Sequence, residues 1–397
     1  MRMQRRYGGV AMLFSATLVL SSCGGLFGKG LCRDVGSATG VAPSPPASTG
    51  GTSDAKIGLV TDVGTLDDKS FNEYSWVGAQ QGATAIGAPA PQSIITTNSA
   101  DYASNIQQFI DQDYDMIVTV GFALGAATFE AAADNPDVHF VGVDQFQETD
   151  TTDDLTYNDS ALPNYESLIF NEAEAGYLAG IVAASISKSG DIAAIGGSGD
   201  IPPVVNYMRG YENGAHSVNP NAVVHLKYVN HDDLSVAFND PAAGKSFADQ
   251  FRSQNANTDV IFQVAGKTGN GVVQSAAEGG LYAIGVDVDQ WQSIHDQANC
   301  IVTSAEKHLS QAVSDSIIAF GGDDPRSSNV FYGAFNDGIG LAPYYQFADL
   351  ITADTQTKID DAFAAMALDT DDPDHLDPCL DAGGQNTCYA GERDTGN

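Results

Sequence analysis

The chain has 397 residues, with 51 acidic side chains against 17 basic ones and a formal net charge of −34. No basic stripe exists to neutralise phosphates, so nucleic acid is excluded as a partner; the acids describe a solvated surface and suit a salt-rich setting that screens self-repulsion. The length exceeds one compact core and fits two domains of ordinary size, for which 43% hydrophobic residues supply the interiors.

The N-terminus begins MRMQRRYGG, with three Arg, and continues VAMLFSATLVL, an apolar stretch of signal-peptide length that is too short to span a bilayer. Residues 1–22 read as a signal. Leu20 to Cys23, LSSC, resembles the bacterial lipobox, in which the Cys is lipidated and becomes the mature N-terminus. The plainer alternative is a secretory signal with an incidental Cys. Cleavage before Cys23 removes Arg2, Arg5 and Arg6 and takes the formal charge from −34 to −37. No other apolar stretch is long enough to span. Residues 23–54, which include GSATGVAPSPPASTGGTSD, cannot bury apolar surface and read as a flexible tether behind the lipidated Cys.

From Lys56 onward, short apolar, β-branched runs alternate with helical stretches. The runs KIGLV, DMIVTV, HFVGV, DIAAIGG, AVVHLKYV, DVIFQVAG, YAIGVDV and CIVTSA predict strands. SFNEYSWVGAQQGATAI, NEAEAGYLAGIVAASIS, AGKSFADQFRSQ, GNGVVQSAAEGG and EKHLSQAVSDSIIAF predict helices. Ser70 with Glu73 reads as a capping box at the start of the first helix. Such alternation predicts parallel sheets with helices on both faces, and ligands in these folds sit at strand tips. The tail from Asp369 is acidic and aperiodic. Cys379 and Cys388 close a short loop in it and are the expected disulfide, since export permits disulfides. Cys32 lies in the tether and Cys300 opens a strand-like run; the sequence does not determine their pairing.

Enzymatic motifs fail one by one. GKT at 266–268 is not a Walker loop, because the required Gly position 261 is Ile261. GGSG at 196–199 is followed by Asp200, so it is not a nucleophile elbow. Asp67 and Asp68, as neighbours at a helix start, point apart. LDDKSFN lacks the alternating oxygens of a calcium loop. Seven scattered His show no metal or triad spacing, so no catalytic residue, metal or cofactor is expected.

The strand tips, by contrast, carry Asp62, Gly121-Phe122, Asp144, Phe238-Asn239-Asp240, Gly266 to Gly271, Asp287, Asp289 and Lys307. Singly, each has an ordinary structural role: an Asp after a strand caps a helix, a Gly cluster turns, and a Phe packs in the core. Together they describe a site with several carboxylates, one Lys and aromatic rings. Carboxylates accept hydrogen bonds from hydroxyls, and rings stack on flat apolar faces.

These residues stand in a series of longer motifs: DVGTLDDKSFN (62–72), NEAEAGYLAG (171–180), IGGSGDIPPVVNYMRGYENGA (195–215), SVAFNDPAAGK (235–245), VAGKTGNGV (264–272), GVDVDQ (285–290) and TSAEK (303–307). In number and order they resemble the basic membrane protein family of lipoproteins, which includes the purine nucleoside receptors of bacterial ABC transporters. The resemblance runs from about Lys56 to Phe347. It implies the type I periplasmic binding protein fold, with two doubly wound α/β lobes joined by crossing hinge strands. On this reading lobe 1 comprises 55–165 plus about 292–322 and lobe 2 comprises 166–291 plus about 323–368, with 369–397 an acidic tail outside the pattern. The resemblance further implies that Phe71 and Phe238 sandwich a purine, that Asp62, Asn72 and Asp144 hydrogen-bond base or ribose, and that Gly266, Asp287 and Lys307 hold the ribose. The function implied is a lipid-anchored receptor on the extracytoplasmic face that delivers a nucleoside to an ABC permease and its ATPase. A sugar receptor of the same fold, or a surface adhesion or sensing lipoprotein, are the alternatives. GKT in place of a more usual Gly-rich run sets Lys267 near the pocket mouth.

Overall fold

The computed structural model describes residues 30–35, 52–147, 162–322 and 325–388. Cys23 and the signal-like segment lie outside them. In chain order the elements are β1 (Ile57–Thr61), α1 (Phe71–Ile86), β2 (Gln92–Ile95), α2 (Tyr102–Ile110), β3 (Met116–Val120), α3 (Gly125–Asp134), β4 (His139–Val143), β5 (Tyr165–Phe170), α4 (Glu172–Ile186), β6 (Asp191–Gly196), α5 (Pro202–Val218) and β7 (Val223–Tyr228). There follow α6 (Leu234–Asn239), α7 (Pro241–Gln254), β8 (Val260–Val264), α8 (Gly266–Gly279), β9 (Tyr282–Asp287), α9 (Gln290–Ser293), β10 (Ile301–Lys307), α10 (Leu309–Gly321), β11 (Asn329–Tyr332), β12 (Ile339–Leu341) and α11 (Ala353–Met366).

The strands form two six-stranded sheets, ordered β11-β5-β4-β3-β1-β2 and β12-β10-β9-β8-β6-β7. Every pairing is parallel except β10 with β12. Helices cover both faces, which is why the central strands are apolar along their whole length rather than alternating. In the first sheet Ile57 and Leu59 belong to the core that contains Ala79, Ala83 and Ile86 of α1. Val60 turns the other way, into a core with Ile106 and Phe109 of α2. In the second sheet Ile192, Phe262 and Ile284 share a core with Tyr207 and Tyr211 of α5. Ile195 and Ile261 share another with Phe251 of α7 and Val272 of α8.

Helix α4 is buried nearly all round, and its run of Ala and Gly has a packing reason. Gly176 and Gly180 face carbonyls of α5, while Gly210 and Gly214 of α5 face carbonyls of α4. A Cβ at any of the four would stand 2.0–2.1 Å from a carbonyl oxygen.

The chain passes between the lobes at β5 to α4, at β10 to α10, and between β11 and β12. These crossings differ from the expected boundaries. Residues 301–307 pair with β9 and so lie in the second sheet, whereas 329–332 pair with β5 in the first. β10 extends the second sheet beside the strand that precedes it, β9, whereas β11 is a four-residue strand placed by a partner distant in sequence, β5. Within the stretch read as tether, residues 31–35 are also fastened: Cys32 is disulfide-bonded to Cys300, and Leu31 N–H donates to the Gly280 carbonyl at 2.8 Å. Cys379 and Cys388 are bonded in the tail, which is held to α5 by Asn213 Nδ2 donating to the Pro378 carbonyl at 2.9 Å.

Candidate ligand site in the interlobe cleft

Parallel pairing brings sequence-distant residues to one edge. Thr61, Val120 and Val143 are in register across β1, β3 and β4. The residues just after them, Asp62, Gly121 and Asp144, therefore stand side by side; Asp62 N–H donates to the Val120 carbonyl at 2.9 Å and Gly121 N–H to Val143 at 3.1 Å. In the second sheet Glu306 pairs with Asp287, so Lys307 follows at the same edge. The two edges face one another across a cavity enclosing about 700 Å³ of empty space, its open mouth included. Asp62, Phe71, Asn72, Asp144, Phe238, Gly266, Asp287 and Lys307 all line it.

Lys307 is the hub. Its side chain is 2% exposed, and Nζ lies 2.6 Å from Asp144 Oδ2 and 3.0 Å from Glu172 Oε1. It also stands 5.3–5.5 Å from the ring centres of Phe71, Phe170 and Tyr207. Asp144 and Asp287 both adopt the left-handed backbone conformation (φ 58° and 65°). Asp is among the few side chains that tolerate this region, and such residues cluster at functional sites. Gly121, at φ 111°, is required where it stands, since a Cβ there would meet the Asp62 carboxyl at 2.1 Å. Phe238 lies over the backbone of Gly197, where a Cβ would sit 2.2 Å from its ring. Two buried acceptors, Asn72 Oδ1 and Asp144 Oδ1, have no hydrogen-bond partner among the described residues.

The loop 62–70 is gripped by the opposite lobe. Lys267 Nζ donates to Asp67 Oδ1 at 2.8 Å and to Thr65 Oγ1 at 3.0 Å. Asn270 Nδ2 reaches the Asp68 carbonyl at 3.0 Å, and Ser293 Oγ the Lys69 carbonyl at 2.7 Å. These contacts hold the lobes together over the cavity. The expected Ser70–Glu73 capping box does not form. Asp68 caps α1 instead, accepting from the N–H groups of Ser70, Asn72 and Glu73 at 2.8–3.0 Å. Its second oxygen and lower position let it reach three donors, which frees the Ser70 hydroxyl to donate to Asp287 Oδ2 across the cleft at 2.9 Å.

The family model described as "ABC transporter substrate-binding protein PnrA-like" matches residues 55–362. The chain belongs to the PnrA-like family of ABC transporter substrate-binding proteins. Its relatives include a Listeria monocytogenes protein named CD4+ T-cell-stimulating antigen, 31% identical over 327 residues, covering 78% of this chain and 85% of the relative. The Lactococcus lactis ABC transporter nucleoside-binding protein BmpA is 29% identical over 326 residues, covering 77% and 87%. Among solved structures, an ABC transporter system solute-binding protein of Aeropyrum pernix superposes with a TM-score of 0.65 at 22% identity, covering 81% of this chain and 95% of that one. The fold is thus the type I periplasmic binding protein fold. A PnrA-like protein is a solute-binding protein and not an enzyme, and no helix among the described residues is long and apolar enough to cross a membrane.

In this PnrA-like protein the cleft carries an excess of carboxyls. Burial raises Asp62 to about 7, against the Val63 and Ala123 N–H groups that it accepts from. Burial likewise raises Glu172 to about 7 and Asp287 to about 6, with the Lys307 ammonium opposing both shifts. For Lys307 itself, burial disfavours the charge, but Asp144, Glu172 and Asp287 outweigh it and raise the ammonium. Lys267 holds the Asp67 carboxyl down at about 2. Sequence reasoning missed Glu172 and Tyr207. Glu172 sits within the NEAEAG motif, and its buried pairing with Lys307 depends on the β5–α4 crossing. Tyr207 follows the Pro-Pro start of α5, whose N-terminal Pro203 and Val204 also line the cavity.

Proposed function

We propose that this chain is the lipid-anchored receptor of an ABC importer, capturing a purine nucleoside between its lobes and delivering it to the permease. The observation that carries the ligand reading is the pair of buried, unpartnered acceptors Asn72 Oδ1 and Asp144 Oδ1 on the wall of a cavity that also presents Phe71 and Phe238. Buried acceptors without partners are costly, so they call for donors on the ligand, such as ribose hydroxyls or base N–H groups. The rings supply stacking surfaces, each worth roughly 1–3 kcal/mol per base. A cavity lined by Asp62, Asp68, Asp144 and Asp287 with a single Lys, itself also paired with Glu172, favours a neutral ligand over a phosphorylated one. The contacts of Lys267, Asn270, Ser293 and Ser70 across the cleft support a hinge mechanism in which the lobes close on the ligand. The nucleoside-binding name of the Lactococcus lactis relative agrees with this ligand class.

Protein purified from its own membranes, denatured and filtered, is expected to release a purine nucleoside, detected by chromatography and mass spectrometry. Release of a free sugar with no base would instead identify a sugar receptor. For the anchor, Cys23→Ser is expected to move the protein from membranes to the soluble fraction; unchanged membrane association would contradict lipidation.

A further inference from the structure

The N-terminal segment 31–35 ends far from where a simple tether would leave it. Leu31 N–H donates to the Gly280 carbonyl and Arg33 N–H to the Asn299 carbonyl, both at 2.8 Å. Arg33 Nη1 donates to the Gln346 carbonyl at 2.6 Å, pairs with Asp349 and lies 5.0 Å from the centre of the Phe347 ring. Cys32 is covalently joined to Cys300. Gly280 precedes β9, and Asn299 and Cys300 precede β10. The opposite ends of these two strands carry Asp287 and Lys307 at the cleft. The two strands have six and seven residues, so the strap sits about 20 Å from the cleft, at the far pole of the second lobe.

The chain must then return to the first lobe, because Ile57 begins β1 at the end away from Asp62. The Gly/Ser/Pro-rich run between Val35 and Ile57 is therefore a connection between lobes, with a contour of at most about 79 Å. Leu31 is fastened, and the eight steps that separate it from Cys23 in sequence span at most about 29 Å, whereas the steps from Cys23 to Ile57 would span up to about 120 Å.

We propose that the membrane holds this receptor by the far pole of its second lobe, through a short leash made covalent by the Cys32–Cys300 bond, so that the second lobe and not the first lies next to the lipid. This rests on the lipid-anchor reading of Cys23. The partner is a lipid surface, and the strap fixes which lobe lies next to it.

The test is a protease site inserted between Thr39 and Gly40 of the full-length protein in its own membranes. After complete cutting, judged on a reducing gel, the body is expected to stay with the membranes without reductant and to be released by reductant. In Cys300→Ser, checked for fold by circular dichroism, cutting alone is expected to release it. Release of the wild-type body by cutting without reductant would overturn the proposal. Should the uncut protein not be on membranes at all, the anchor reading fails separately. The strap is then judged by whether the two fragments stay joined on a non-reducing gel, and fragments that separate there overturn it.

Discussion

Replacing Lys307 with Met tests the electrostatic design of the cleft. Met roughly keeps the length and apolar contacts of the stem while removing the charge. The ammonium is 2% exposed and compensates Asp144 at 2.6 Å and Glu172 at 3.0 Å. Removing one partner of a buried ion pair costs about 3–5 kcal/mol, because the other charge stays buried and unpaired. Against an ordinary stability of about 5–15 kcal/mol this is a large fraction. The cost should depend on pH, with a sign that follows from the carboxyls. Glu172 already titrates near 7 with Lys307 present; without the ammonium it and Asp144 rise further. A carboxyl raised in the folded state is destabilising when ionised, so its penalty fades as pH falls below its folded pKa and grows as pH rises through it. Urea denaturation of Lys307→Met should therefore show a larger loss at pH 8 than at pH 5.5; for Glu172, at about 7 in the wild type, the extra loss at pH 8 is at most about 1.4 kcal/mol, because only one pH unit separates the two. Adding Glu172→Gln should recover part of the loss at pH 8. A loss below about 1 kcal/mol, or one equal at both pH values, would refute the reasoning.

Phe71→Ala and Phe238→Ala should each weaken purine nucleoside binding at least about tenfold, within the roughly 1–3 kcal/mol of a base stack, with circular dichroism unchanged; unaltered affinity would mean that the rings do not face the base. Ligand donors favour ionised Asp62 and Asp287, which titrate near 7 and 6 in the ligand-free protein. Binding should then release protons and tighten as pH rises through about 6–7, levelling above, and Asp62→Asn should flatten that profile in calorimetry at several pH values. Lys267→Ala removes a half-exposed pair worth at most about 1 kcal/mol. It should speed ligand release by up to about fivefold in stopped-flow measurements and leave the association rate nearly unchanged; a slowed association would place Lys267 on the entry path instead.

The cleft was more legible in the sequence than the hinge. Strand tips can be read locally, because an apolar run ends where a polar residue follows, and parallel pairing then aligns Asp62 with Asp144 and Asp287 with Lys307. The crossings depend on long-range partners. In β5, YESLIF, the apolar run is interrupted by Glu166, which is fully buried and partnered from far along the chain by Arg326 at 3.1 Å and the Ser316 hydroxyl at 3.0 Å. β11 and β12 are three or four residues long and take their sheet from neighbours. Ser70 looked like the cap of α1 on residue preference alone, but preference does not show that Asp68 already fills the three donors. Cys32 lies in a stretch whose composition reads as tether, and only the closeness of Cys300 in space reveals the strap.

The central claim is that the cleft takes a neutral purine nucleoside. Calorimetric titration of the protein from Gly24 onward with guanosine, adenosine, inosine, uridine, ribose and a purine nucleoside monophosphate tests it most directly. The account predicts one site, purine nucleosides bound more tightly than uridine, ribose bound weakly and the monophosphate excluded. Absence of binding to every nucleoside, or binding of ribose alone, would contradict it.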